Sequence, residues 1–168
     1  YREAQELASA GTGLLDREAL ALAEQLGVEI HIRSIYQAAS GIGTVIDAEG
    51  GDKGMKAVSA VSDVTLISIT GVAFEGVAGI DATAFGALSI EGISVKLVSQ
   101  ASSERSLGLV VSQNDAQLAV ASLEKAFEGV RGTAIKATEG LTILNIVGRH
   151  NYALERAIYE LRRNNVWM

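Results

Sequence analysis

Val64-Thr65-Leu66-Ile67-Ser68-Ile69-Thr70-Gly71 is rich in β-branched and apolar residues and closes on a glycine. Such a run reads as a strand from Val64 to Thr70. Downstream, Gly76 to Ile90 carries Ile80, Ala84 and Leu88 at helical spacing, which predicts a helix with those three turned inward. Ile93 to Ser99 and Ser106 to Ser112 read as strands. Asp115 to Phe127 reads as a helix, with Leu118, Ala119, Ala121, Leu123 and Ala126 available for burial and Asn114 as its N-cap. Thr133 to Ala137 is a weak last strand. The order β-α-β-β-α-β is the split βαβ arrangement. It predicts an α+β, ferredoxin-like fold, an antiparallel four-stranded sheet with helices on one face.

Upstream, Glu3 to Leu26 reads as helix, broken by Gly11 and Gly13. Asp16 is placed to cap the second half and Gly27 to end it in a left-handed turn. Val28 to Arg33 alternates as a half-buried strand, and Ser34 to Met55 reads as a loop holding a short strand at Thr44 to Ile46. After Ala137 the pattern restarts. Leu141 to Val147 reads as strand, Asn151 to Arg163 as helix with Leu154, Ala157, Ile158 and Leu161 on one face, and Val166-Trp167-Met168 as a new strand after an Asn164-Asn165 turn. This second copy begins about 75 positions after the first and is incomplete, so its apolar face, Trp167 included, is expected to dock on another surface.

The 168 residues suffice for one good core, or for one small domain and part of another. Hydrophobic residues make up 48% and charged residues 20%, which places the chain among globular domains rather than disordered ones. The net charge of −6 comes with no basic stripe beyond Arg162-Arg163, so no nucleic-acid partner is expected. There are no cysteines, which excludes disulfides and thiolate metal sites and fits a cytoplasmic location. No apolar run is long enough for a membrane span, and the N-terminus has no secretory signature. The sequence starts without Met inside a helical pattern, as a piece of a longer chain would.

No catalytic constellation is visible. His31 and His150 lie far apart, and neither has a metal-ligand neighbour at helical spacing. There is no nucleophile elbow, and Gly50-Gly51-Asp52-Lys53-Gly54 is a flexible turn rather than a phosphate loop. Two stretches point instead to binding. In the first, Phe74, Gly76, Val77, Ala78, Gly79, Ile80 and Asp81 join a strand to a helix. Glycines there let backbone amides approach a ligand, and a helix N-terminus favours a carboxylate; a simple tight turn is the alternative. In the second, Ser99, Gln100, Ser102, Ser103 and Glu104 form a polar tip between two strands. A plain hairpin explains it too, but Gln100 closes an otherwise apolar strand with an amide that donates and accepts. In this fold the two stretches lie at one end of the sheet, so together they describe a pocket for an amino acid.

Val58 to Ile69 and the segment Ile93-Ser94-Val95-Lys96-Leu97-Val98-Ser99-Gln100-Ala101-Ser102-Ser103-Glu104-Arg105-Ser106 resemble the aspartate kinase family, the latter its I-x-V-x-L-I-T-Q-x-S-S-E-x-S motif. The resemblance implies an ACT-type regulatory region. It divides the chain into the end of a kinase domain with its exit strand (1–34), a linker loop (35–55), a first ACT domain (56–137) and the start of a second (138–168). It implies a parent enzyme that phosphorylates aspartate with ATP and Mg at the head of lysine, threonine and methionine synthesis. The family's Lys-Phe-Gly-Gly-type kinase motif is absent, so this piece is expected to have no catalytic residue and no cofactor of its own. Its expected partners are an end-product amino acid and a second copy, in a homodimer through ACT domains. Gln100 resembles the threonine-sensitive type often fused to homoserine dehydrogenase. Lysine-sensitive relatives tend to carry Asp where Lys96 stands, which makes threonine the first choice and lysine the second. A structural dimerisation module without ligand and an enzyme with a hidden site are the rival readings. Arg17, Ile42 and Ala78 stand where the family usually has proline, and Ala78 is expected to loosen the pocket loop.

Overall fold

The protein's structure, a computed structural model, describes residues 1–10, 13, 15–36, 41, 43–49, 54–71, 79–100, 106–148 and 151–166. Among these the elements are α1 (Arg2–Ser9), α2 (Arg17–Leu26), β1 (Ile30–Ile32), β2 (Thr44–Ile46), β3 (Met55–Gly71), α3 (Ile80–Ile90), β4 (Leu97–Gln100), β5 (Ser106–Ser112), a 3-10 turn (Gln113–Asp115), α4 (Ala116–Ala126), β6 (Thr133–Gly148) and α5 (Asn151–Arg163). The chain divides into two compact units, Ser62–Ile143 and Tyr1–Val61 with Leu144–Met168. The cuts fall inside β3 and β6.

In the unit Ser62–Ile143 the sheet order is β4-β5-β3-β6, which with the intervening helices is the predicted ferredoxin-like arrangement. β3 and β5 pair antiparallel from Val64↔Ser112 to Thr70↔Ser106, and β4 and β5 from Leu97↔Val110 to Gln100↔Leu107. Strand side chains alternate between faces. The odd-numbered residues Ile67 and Ile69 of β3 and Leu107, Leu109 and Val111 of β5 therefore share one face, and all five are buried. Ala84, Ala87 and Leu88 of α3, Ala119 and Leu123 of α4, and Phe127 close over them. Full burial of each large aliphatic side chain contributes roughly 1.5–3 kcal/mol. Both helices thus lie on one side of the sheet.

The other unit has its own small core of Ala4, Leu20 and Ile46. β1 and β2 pair antiparallel from Ile30↔Ile46 to Ile32↔Thr44. The Asp16 side chain accepts from the Ala19 amide at 2.8 Å, and Gly27 ends α2 at φ 65°, both as the sequence predicts. Ala157, Ile158 and Leu161 of α5 are half-buried, whereas Leu154 is exposed. Trp167 lies outside the described residues.

Several boundaries differ from the sequence reading. α3 starts at Ile80, not Gly76, because Gly79 stands at φ 94° and a right-handed helix cannot continue back through it. β4 starts at Leu97, not Ile93, because Ile93 is held by the end of α3: its amide donates to the Leu88 carbonyl at 2.9 Å and its side chain is buried. The N-cap of α4 is Asp115 rather than Asn114, and it makes no side-chain capping bond. Of the α4 residues offered for burial, Leu118 and Ala121 are exposed, since the stripe Ala116, Ala119, Leu123 fixes which side faces the sheet. The strands expected at 133–137 and 141–147 are one, β6, with Gly140 inside it at a left-handed φ of 69°, as at a bulge, so the glycine does not end the strand. β3 likewise runs from Met55 through Asp63 at φ 57° instead of starting at Val64. No helix among the described residues is long and apolar enough to cross a membrane.

Candidate functional site

Two constraints build the site. The first is the turn at Gly79. Its positive φ is open to glycine at no steric cost, and it starts α3 with a residue that makes no side-chain cap. The amide and hydroxyl of Thr83 both donate to the Gly79 carbonyl at 2.9 Å. The first amides of α3 thus begin the helix without a capping side chain at Gly79. Asp81 is the acidic residue of this first turn and is half-buried.

The second constraint is register. Gln100 pairs with Leu107, which pairs with Ile69, so Gln100 stands in a row of side chains on the helix-covered face. That row ends beside the first turn of α3. The Gln100 Nε2 donates to Asp81 Oδ1 at 3.4 Å, near the long limit for a hydrogen bond. Two side chains from separate elements, 19 positions apart in sequence, thus meet at one end of the sheet.

The predicted site residues are distributed as follows. Gly79, Ile80, Asp81 and Gln100 gather at this end, with Ile80 packed against the core. Ser99 pairs with Gly108, which pairs with Ser68, and this row faces away from the helices. A one-residue step along β4 therefore separates Ser99 from Gln100 by the thickness of the sheet. Phe74, Gly76, Val77, Ala78, Ser102, Ser103 and Glu104 lie outside the described residues.

His31 belongs elsewhere: its Nε2 is 3.3 Å from Glu29 Oε2 on the exposed side of β1. His150 lies outside the described residues. In the unit that begins at Tyr1, a cleft is lined by the apolar residues Tyr1, Ala4, Leu7, Leu15, Ile32 and Ile46 and by the charged Glu3, Asp47 and Lys56. Nothing in the sequence signals it, because its walls come from five separated segments.

A family model described as an ACT domain matches residues 67–127. The chain is 29% identical over 166 residues to the chloroplastic bifunctional aspartokinase/homoserine dehydrogenase 1 of Zea mays, covering 88% of this chain and 18% of that protein. It is 26% identical over 154 residues to the bifunctional aspartokinase/homoserine dehydrogenase of Haemophilus influenzae, covering 88% and 19%. The chain thus spans under a fifth of the length of these curated relatives. Among solved structures, aspartate kinase of Clostridium acetobutylicum shares the fold at TM-score 0.84 and 18% identity, covering 98% of this chain and 39% of that one. E. coli aspartokinase III in complex with lysine and aspartate gives TM-score 0.67 and 23% identity, covering 87% and 32%. The regulatory subunit of aspartate kinase from Thermus flavus gives TM-score 0.53 and 22% identity, covering 65% and 72%. Residues 67–127 are an ACT domain, in a chain whose homologues are aspartokinase/homoserine dehydrogenases and whose structural neighbours are aspartokinase regulatory domains.

Proposed function

We propose that this chain is part of the regulatory region of an aspartate kinase, and that the end of the sheet marked by Gly79, Asp81 and Gln100 binds an end-product amino acid, threonine before lysine. The observation that carries this reading is the approach of Gln100 to Asp81 at 3.4 Å. It joins an amide that donates and accepts to the start of a helix whose N-cap residue supplies no side chain. A zwitterion fits such a setting: its carboxylate suits helix amides and its polar side chain suits Gln100. The resemblance of the Gln100 motif to the threonine-sensitive type, often fused to homoserine dehydrogenase as these relatives are named to be, supports threonine. The E. coli aspartokinase III complex, which holds lysine, supports lysine as the alternative. By binding one arrangement of the parent enzyme better than another, the effector would shift the kinase toward a less active state. ATP, Mg and aspartate belong to the parent's kinase domain in this reading.

A second copy of the chain is the proposed protein partner. β4 is the outer strand of its sheet, and Leu97 and Val98 on it are exposed. An edge of this kind, unpaired among the described residues, is a template for strand pairing. The same observation favours the rival reading, a dimerisation module without ligand.

Thermal unfolding with threonine, lysine, methionine and isoleucine in turn separates the two. An effector at about 100 times its dissociation constant raises stability by roughly 2.7 kcal/mol. A folded dimer that shifts with none of the four supports the ligand-free module and sinks the effector reading.

A further inference from the structure

Asp81 is a charged group that the fold brings to this end of the sheet. Its carboxylate is half-buried, and its contact with Gln100 joins it to a neutral amide rather than to a cation. Among the described residues no ion pair with Lys, Arg or His is found for it. Asp81 thus sets a negative charge beside Gln100, in the site read above as a receptor for an amino acid. A ligand that brings only a carboxylate meets that charge as repulsion. A ligand with an adjacent ammonium meets it as a partner, and the long Gln100 contact is weak enough to give way.

From the meeting of these two side chains across α3 and β4, we propose that Asp81 is the specificity-determining residue of the site. Its carboxylate receives the α-ammonium of the effector, so the site takes α-amino acids and refuses the corresponding deaminated acids. Gln100, released from Asp81, turns to the polar side chain of the ligand. The proposal rests on the amino-acid reading of this site and gives it a chemical filter.

The test is calorimetric titration of the 168-residue protein and of Asp81→Asn and Asp81→Glu, with two matched pairs of probes. One pair is L-threonine and 3-hydroxybutanoate; the other is L-lysine and 6-aminohexanoate. The wild type is expected to bind one of the amino acids and to discriminate against its deaminated counterpart. Asp81→Asn, nearly the same in shape, is expected to weaken the amino acid about tenfold, the scale of one hydrogen bond to a charged group, with little change for the deaminated acid. Asp81→Glu should recover part of the loss. Amino-acid binding that Asp81→Asn leaves intact overturns the proposal and spares the amino-acid reading. Wild-type protein that binds neither amino acid overturns both. Circular dichroism of each variant before titration identifies one that fails to fold; if Asp81→Asn does, Asp81→Ser takes its place on the same terms, weakened amino-acid binding supporting the carboxylate and intact binding overturning it.

Discussion

Ser122 on α4 donates its hydroxyl to the carbonyl of Ala87 on α3 at 3.0 Å, a side-chain bond that ties the two helices together above the sheet. Ser122→Ala removes the donor. A loss of about 1 kcal/mol in urea unfolding is expected, the net worth of one ordinary hydrogen bond. No measurable loss would mean that packing alone holds α3 to α4.

Leu109 and Leu118 give a contrast between two residues of one type. Leu109 is fully buried on the helix-covered face of β5, and Leu118 is 49% exposed on the outside of α4. Leu109→Ala should cost about 2–5 kcal/mol, the transfer and cavity terms together. Leu118→Ala should stay within about 0.5 kcal/mol. Equal losses would show that the outside of α4 is covered in solution.

Thr65 is a polar residue with no exposed surface, on the helix-covered face of β3, opposite Val111. Its hydroxyl has no hydrogen-bond partner among the described residues. Thr65→Val keeps the shape and removes the desolvated hydroxyl. Stability is expected to hold or to rise by about 1 kcal/mol, read from the midpoint of thermal unfolding. A loss greater than about 1 kcal/mol would show that the hydroxyl is bonded.

Asp16 is tested at the start of α2. Asp16→Ala removes the 2.8 Å acceptor of the Ala19 amide and should cost about 1 kcal/mol, while Asp16→Asn should cost little. Loss of the same size in both would place the effect in the charge rather than in the cap.

Gln100→Ala addresses function. Gln100 is exposed, so the substitution should change unliganded stability by no more than about 0.5 kcal/mol. It should abolish the thermal shift given by threonine. A shift that survives unchanged would remove Gln100 from the site.

Much of the fold was legible because burial is periodic. Ile69, Leu107 and Leu109 alternate with smaller or more polar neighbours, and Ser106 to Ser112 forms a strand with the boundaries read from its sequence. What escaped was governed by backbone torsion or by tertiary capture. The pattern reads as two strands with a gap at 138–140, yet β6 runs on through Gly140 at its left-handed φ. Ile93 looks like the start of a strand, but the end of α3 claims its amide. At the candidate site, Gln100 was visible as an amide closing an apolar strand. That it meets Asp81, and that Ser99 turns the other way, depends on the pairing of β4 with β5, which no local pattern encodes.

The positive φ of Gly79 has a consequence for how the turn tolerates variation. Among the described residues a β-carbon built at Gly79 meets nothing within 4 Å, so the restriction they impose there is torsional and not spatial. Bulk should then be almost irrelevant: serine, leucine and tryptophan would be disfavoured to a similar degree, and asparagine least. In a saturation library selected for folded protein, residue 79 would sort its replacements by handedness and ignore their size.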